Sequence, residues 1–318
     1  MRIPWKIVLM EAVMRRSPVR RRPVRRATVL LAFGGLTLAA AACAPASQSS
    51  DGQPSAAAGD ATGTAATASC AKDGLTLVTP GKLTIGTDKP AYEPWFKDDD
   101  PANGQGFESA VAYAVAQKMG FTKDEVVWAV VPFDSSFAPG PKKFDFDINQ
   151  ISITPERKKA VDFSAGYYTV KQGVVALDGS TFAKAATLAE LKDAKIGVQA
   201  GTTALQAVRQ VIQPGADPSV FNQQIDAINA LKNKQIDAIV VDLPTAFYVT
   251  AAQVEGSKIV GQFAAQSDAP EEFGLLFQKG NGLVPCVDKA LGELKTSGEL
   301  AGIESRWLTA AAGAPELS

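Results

Sequence analysis

The chain of 318 residues contains no histidine. That removes the side chain most often used as a general base near neutral pH and the commonest metal ligand. With only three cysteines as well, Cys/His zinc sites are excluded. Long apolar runs are scarce. The one candidate, residues 27–42 (ATVLLAFGGLTLAAAA), falls short of the roughly 20 residues that a spanning helix needs. No short-period repeat marks a solenoid or propeller. The formal net charge is only −1, but nine of the 32 basic residues and one of the 33 acidic residues lie within residues 1–26. The rest of the chain is therefore acidic, which makes nucleic acid and other polyanions poor partners.

A basic stretch, an apolar run and small residues before a cut describe a secretory signal, expected over residues 1–42. A cysteine directly after the small residues resembles a bacterial lipoprotein signal, with Cys43 as the lipidated residue. Ala40 departs from the leucine commonest there, and ordinary cleavage with Cys43 lost or free is the alternative. Residues 44–69 are nearly all small and polar, too poor in apolar surface to offset the entropy of ordering. A lipidated tether is thus expected over 43–74. Cys70 and Cys286 remain as an even pair that an oxidising compartment allows to bridge, two isolated buried thiols being the alternative.

The remaining 70–318 suffices for two lobes with their own cores. Lys82–Thr87 reads as a strand, followed by a proline-punctuated aromatic loop from Asp88 to Phe96. Apolar residues at helical spacing predict a helix from Phe107 to Met119, stopping at Gly120. Val126–Val131 is a strand, and Phe144–Ile148, alternating apolar and acidic, reads as a half-buried one. Tyr167–Leu177 is extended. A second series follows with strands at Lys195–Gln199, Ile236–Asp242 and Ile259–Phe263 and helices at Leu188–Ala194, Ala204–Ile212, Asn222–Asn233 and after Pro244. A strand at Phe273–Gln278 and two helices finish the chain. Alternating strands and helices predict an α/β architecture with mostly parallel sheets.

Three positions carry candidate chemistry. Thr154-Pro155-Glu156 has the order of a helix N-terminus, which puts Arg157 in a first turn where a cation is unfavourable unless an anion joins it. Its planar fork matches a carboxylate; a structural ion pair with Asp162 is the alternative. The bend Gly201-Thr202-Thr203 opens a helix and directs N–H and hydroxyl groups at anything on the strand end, or it is a simple threonine cap. Asp242 ends a buried strand, where ligand crevices of open α/β sheets lie, or it bonds its own turn. Together they offer a cation and donors for a carboxylate and an anion for an ammonium, the needs of an α-amino acid zwitterion.

Ile85-Gly-Thr-Asp with Tyr92-x-Pro94, Gly106-Phe-Glu108, Ile151-Ser-Ile-Thr-Pro-Glu-Arg157, Asp162-Phe-Ser with Tyr167-Tyr168, Gly197-Val-Gln-Ala-Gly-Thr-Thr203 and Ile236-Asp-Ala with Asp242 occur in this order. They resemble family 3 of the bacterial extracellular solute-binding proteins, polar amino acid receptors of ABC importers, over about residues 75–310. The resemblance implies a type II periplasmic-binding fold: two α/β lobes joined by two crossover strands, near Tyr168–Gln172 and Gly261–Gln266, with the ligand in the cleft between them. The expected boundaries are 75–170 for the first lobe, 171–264 for the second, and 265–318 returning to the first. By position, Arg157 and the Thr203 amide, beside Thr202, hold the α-carboxylate. Asp242, Ser152 and the main chain at Gln150 hold the α-ammonium. Tyr92 and Trp95 wall the side-chain pocket, with Asp88 and Phe133 nearby; core positions are the alternative for the aromatics of 92–96 and the expectation for Phe96. Asn149-Gln150 replaces the small residues of many relatives and suggests a polar, uncharged ligand side chain, whereas Asp88 favours a basic one. Glu108, in place of the familiar aspartate, is expected to be without consequence.

The resemblance further implies a monomer on the outer face of the cell membrane, with an ABC permease and its ATPase as partners and no cofactor. An enzyme on the same fold, dehydratase-like, is the second class; its candidate acids are Glu93, Glu271 and Glu272. A ligand-sensing surface lipoprotein is the third.

Overall fold

The computed structural model describes residues 70–265, 269–308 and 313–318, all within one compact unit, Gly63–Ser318. The expected signal peptide, Cys43 and the tether up to residue 69 lie outside the described residues. The chain runs β1 (Leu83–Thr87), α1 (Phe107–Lys118), β2 (Val126–Val130), α2 (Phe133–Ser136), β3 (Phe146–Asp147), α3 (Pro155–Lys158) and β4 (Val161–Phe163). Strands β5 (Tyr168–Val170) and β6 (Gln172–Leu177) lead into β7 (Ile196–Gln199), α4 (Thr203–Ala207), β8 (Ser219–Phe221), α5 (Gln224–Lys232), β9 (Ala238–Asp242), α6 (Leu243–Tyr248) and β10 (Ser257–Phe263). The last series is β11 (Glu271–Phe273), β12 (Leu276–Gln278), α7 (Val284–Thr296) and α8 (Glu299–Trp307).

Two five-stranded sheets result, in the orders β2-β1-β3-β12-β4 and β10-β6-β9-β7-β8. Each is the centre of a lobe. The chain passes from the first to the second between β5 and β6 and returns between β10 and β11. Strands β5 and β11 pair antiparallel, Val170 opposite Glu271 and Tyr168 opposite Phe273, so the two crossings are tied to each other.

Local chemistry explains the elements around the cleft. Helix α1 begins where Gly106 adopts φ 95°; a Cβ there would lie 2.4 Å from the Trp95 carbonyl oxygen, so the aromatic loop and the helix meet backbone to backbone. Phe107, Val111 and Val115 of α1 are fully buried with Leu83, Ile85 and Leu291 in the first lobe's core. Burying each such side chain is worth about 1.5–3 kcal/mol. Cys70 and Cys286 are disulfide-bonded, with Cα atoms 5.4 Å apart, and anchor the start of the domain to α7.

The structure departs from the sequence reading at four elements. Phe144–Ile148 is buried on both faces, and only Phe146–Asp147 is strand. The acidic residues point inward: Asp145 accepts from the Val78 and Thr84 N–H groups, while both oxygens of Asp147 lack any partner. Phe273–Gln278 is split between two sheets at Gly274, where a Cβ would press on Ile153 at 2.8 Å. The helix expected at Ala204–Ile212 is α-helical only to Ala207 and continues as π-helix to Ile212. Finally, residues 265–318 do not all return to the first lobe. Ala265 and Leu317 are buried in the second lobe's core, and Gln262 exchanges hydrogen bonds with Pro315 (2.7 Å) and Leu317 (2.8 Å), so the C-terminal residues run along β10.

Candidate ligand-binding site

Arg157 owes its position to the cap predicted for its helix: the Thr154 hydroxyl accepts from the Arg157 N–H at 3.1 Å. The side chain is 8% exposed. Nη1 donates to the Ser152 carbonyl at 2.7 Å and Nη2 to the Gly201 carbonyl, in the opposite lobe, at 2.9 Å. The guanidinium stacks over Phe137 and Phe133, 4.7 and 5.6 Å from the ring centroids. The alternative partner Asp162 is engaged by Lys279 at 2.7 Å and by the Gly280 N–H. Among the described residues Arg157 has no ion pair. Burial pulls it down to about 10, against Glu271 and Asp242, so it remains cationic at neutral pH.

The second lobe supplies the rest. Thr202 caps α4, its hydroxyl accepting from the Leu205 N–H and donating to the Gln199 carbonyl. Asp242 ends β9; Gln172 Nε2 donates to it at 3.1 Å. Burial first, then the Glu271 carboxylate, pushes Asp242 up to about 8. Ser152 and Thr203 hydroxyl oxygens approach to 3.3 Å across the cleft. The two lobes therefore touch around a closed cavity.

That cavity is lined by Asp88, Tyr92, Phe133, Gln150, Ser152, Arg157, Thr202, Thr203 and Asp242, nine of the ten residues named from sequence. Trp95 is the exception. It is fully buried in the first lobe's core, edge-on to Phe107, Tyr168 and Phe273, and its Nε1 donates to Thr245 Oγ1 of α6 at 2.8 Å. It joins the lobes behind the cavity rather than walling it. Asn149, Gln199 and Gln224 also line the cavity. Asn149 is buried and its Nδ2 has no partner, a free donor. Nothing in the pattern of α5 distinguished Gln224.

The Gln150 amide does not project freely. Its backbone N–H donates to Glu108 Oε1 at 2.7 Å, and its Nε2 donates to Oε2 of the same carboxyl. The Tyr167 hydroxyl also donates to Glu108. Burial pushes Glu108 up to about 7. Glu108 thus has a consequence: with these bonds it holds Gln150 in a left-handed conformation, φ 48°, costly for a residue other than glycine. At the other end of the cavity, Asp88 accepts from Phe133 N–H at 3.2 Å and from Lys89 N–H, with burial raising its carboxyl. The Tyr92 phenol is pushed up to about 12 by burial.

Glu271, one of the three candidate acids of the enzyme alternative, sits in the structure as a hydrogen-bond acceptor between the lobes. It is 7% exposed on the crossover strand β11. Its Oε1 accepts from Ser152 and Thr203 hydroxyls, each at 2.5 Å, and its Oε2 from Gln172 Nε2 at 3.2 Å. Both of its oxygens are engaged by these donors. Glu272 is exposed, and neither it nor Glu93 lines the cavity.

Two α/β lobes, two crossing strands and a polar cavity closed between the lobes define a type II periplasmic-binding fold. The model of the bacterial extracellular solute-binding proteins, family 3, matches residues 83–310, and the chain belongs to that family. A probable histidine-binding protein of Campylobacter jejuni is 33% identical over 225 residues, 68% of this chain and 80% of the relative. Among solved structures, an ancestral arginine-binding protein bound to arginine superposes with a TM-score of 0.60 at 34% identity, over 71% of this chain and 98% of that one. An ancestral amino acid-binding protein described as a precursor of cyclohexadienyl dehydratase superposes at 0.59 and 31% identity, over 72% and 95%.

Proposed function

We propose that this chain is the receptor of an ABC importer for an α-amino acid with a basic side chain. The carrying observation is that Arg157, without an ion pair, and Asp242 face one buried cavity from opposite lobes. A carboxylate fits the guanidinium fork, with the Thr203 amide and Thr202 beside it. An ammonium fits Asp242, Ser152 and the Gln150 main chain. The side chain then reaches the Asp88, Tyr92 and Phe133 end. Arg157 is the one cation among the residues lining the cavity, and Asp88 and Asp242 are its two acidic groups, so a ligand that brings two cationic groups and one carboxylate favours the ionised form of both and balances the site better than a neutral zwitterion. Asn149 supplies a polar contact, but Gln150 has its donors committed to Glu108, which weakens the expectation of an uncharged side chain. Relatives that bind histidine and arginine support the same reading.

The closed form gains population because only it contacts both ends of the zwitterion. It is then presented to the permease and its ATPase. Export, lipidation at Cys43, attachment to the outer face of the cell membrane and a monomeric state complete the proposal. A catalytic role has little chemistry to draw on, since Glu271 is committed and Glu93 and Glu272 are outside the cavity. The test is a thermal-shift screen of the refolded, ligand-stripped protein against the amino acids. A ligand at 100 times its Kd adds about 2.7 kcal/mol. Selective shifts with L-arginine, L-lysine or L-histidine are expected; a response confined to uncharged or acidic amino acids contradicts the side-chain assignment.

A further inference from the structure

Ser152 and Thr203 come from different lobes, yet both hydroxyls donate to the same oxygen of Glu271, at 2.5 Å. A hydroxyl has one proton and two lone pairs. With both protons spent on Glu271, each hydroxyl shows the cavity only lone pairs, and their 3.3 Å approach holds no proton. The second Glu271 oxygen takes one Gln172 amide proton, at 3.2 Å, and the same nitrogen donates to Asp242 at 3.1 Å. A chain of hydrogen bonds therefore runs from the crossover strand to the carboxylate at the end of β9.

We propose that Glu271 is a positioning residue for recognition: it turns the Ser152 and Thr203 hydroxyls into acceptors and holds Asp242 through Gln172, so that this end of the cavity takes an α-ammonium and refuses a group without that charge. This inference rests on the amino acid reading of the cleft. The carboxylate of the ligand is excluded from the same acceptors and directed to Arg157. Because Ser152 and Thr203 lie on opposite lobes, the arrangement exists only when the cleft is shut, and the preference for an ammonium is a property of the closed form.

The test compares L-arginine with the analogue in which a hydroxyl replaces its α-amino group, by calorimetric titration of the wild type, Glu271→Gln, Glu271→Met and Glu271→Asp. A hydrogen bond to a charged group is worth enough to change affinity by about 10–100-fold. In Glu271→Gln the amide oxygen is held on the Gln172 Nε2 side, where an acceptor is needed, so the NH2 group faces Ser152 and Thr203, donates to their hydroxyls and turns the hydroxyl protons toward the cavity. This variant is expected to weaken arginine by about that factor while changing the hydroxy analogue by less than about threefold, so that the preference collapses. Glu271→Met, apolar and of similar length, serves if the Gln variant does not fold and should lose the preference likewise. Glu271→Asp keeps the carboxylate and should retain it. Equal losses for both ligands would reduce Glu271 to a brace between the lobes and overturn the inference. Unchanged affinities would also overturn it. Wild-type protein that ignores L-arginine, or Arg157→Ala that binds it as well as wild type, would instead overturn the amino acid reading and this inference with it. Loss of binding in Arg157→Ala with an unchanged preference in Glu271→Gln would sink the inference alone.

Discussion

Asp242 and Asp147 are both buried carboxyls, but their surroundings give them opposite uses. Asp242 has a hydrogen bond from Gln172 and faces the cavity, and burial pushes it up to about 8. A bound ammonium requires its ionised form. Affinity for L-arginine should therefore rise between pH 6 and pH 8, by at most about tenfold per unit. Close to one proton should be released on binding at pH 6, read by titration in two buffers of different ionisation enthalpy. In Asp242→Asn that release should vanish together with most of the affinity. Asp147 has no partner for either oxygen, and burial, with Glu108 and Asp88 nearby, raises it well above the usual carboxylate range. The native state then holds a proton that the unfolded chain loses near pH 4. The contribution of Asp147 to stability is greatest below that pH and declines as pH rises toward its native value, by at most about 1.4 kcal/mol per unit. Asp147→Asn should be more stable than wild type at pH 8, with the gain shrinking toward pH 4. A constant difference across that range would refute the protonation account. Arg157, Thr203 and Asp242 were legible as candidates because each lies just past a strand end, whereas Ser152 was named only through the resemblance. The role of Glu271 was not legible, since its partners lie 119, 99 and 68 residues away and meet only through the crossover.

At the level of elements, the strands and helices with clear periodicity and stop signals, such as α1 ending before Gly120 and β9 as a continuous apolar run, follow the sequence closely. Those bent by tertiary contacts do not. The Phe144–Ile148 stretch reads as half-buried because acidic residues alternate there, yet β3 lies inside its sheet between β1 and β12, with Phe146 and Ile148 packed in one core cluster with α1 and Phe144 in another with Phe133 and Leu276. Trp95 reads as a pocket wall because an aromatic in a proline-rich loop carries no sign of which way it turns. The C-terminal run against β10 left no periodic signal at all. It depends on Gly261, where a Cβ would come within 2.6 Å of Leu317 Cγ and 2.7 Å of the Pro315 carbonyl oxygen. Leu317→Ala should cost about 2–5 kcal/mol, as for other buried leucines, and Gly261→Val should displace the run altogether. Both are measurable by chemical denaturation. A Leu317→Ala protein with wild-type stability would mean that the run contributes nothing to the second lobe.

For the whole molecule, two lobes meet through Arg157 with Gly201, Ser152 with Thr203, and Trp95 with Thr245, all made by residues close to the cavity or the crossing strands. The disulfide, by contrast, lies within the first lobe. Replacing Cys70 and Cys286 together by serine should lower stability by about 2–5 kcal/mol while leaving ligand affinity in the surviving folded protein unchanged. A fall in affinity without a fall in stability would contradict that separation. The α/β class and the two-lobed plan were legible because the order of strands and helices and six motifs in sequence carried them. Which carboxylates remain uncompensated is set by burial and only emerges from the assembled cleft.

The central claim is that Arg157 and Asp242 clamp the two ends of one zwitterion. Calorimetric titration of L-arginine into the ligand-stripped wild type and Arg157→Ala tests it most directly. Tight one-to-one binding to the wild type is predicted, with a loss of about 3–5 kcal/mol in the variant, because the ligand carboxylate would be buried without its partner. Arginine bound with equal affinity by both proteins would contradict the account.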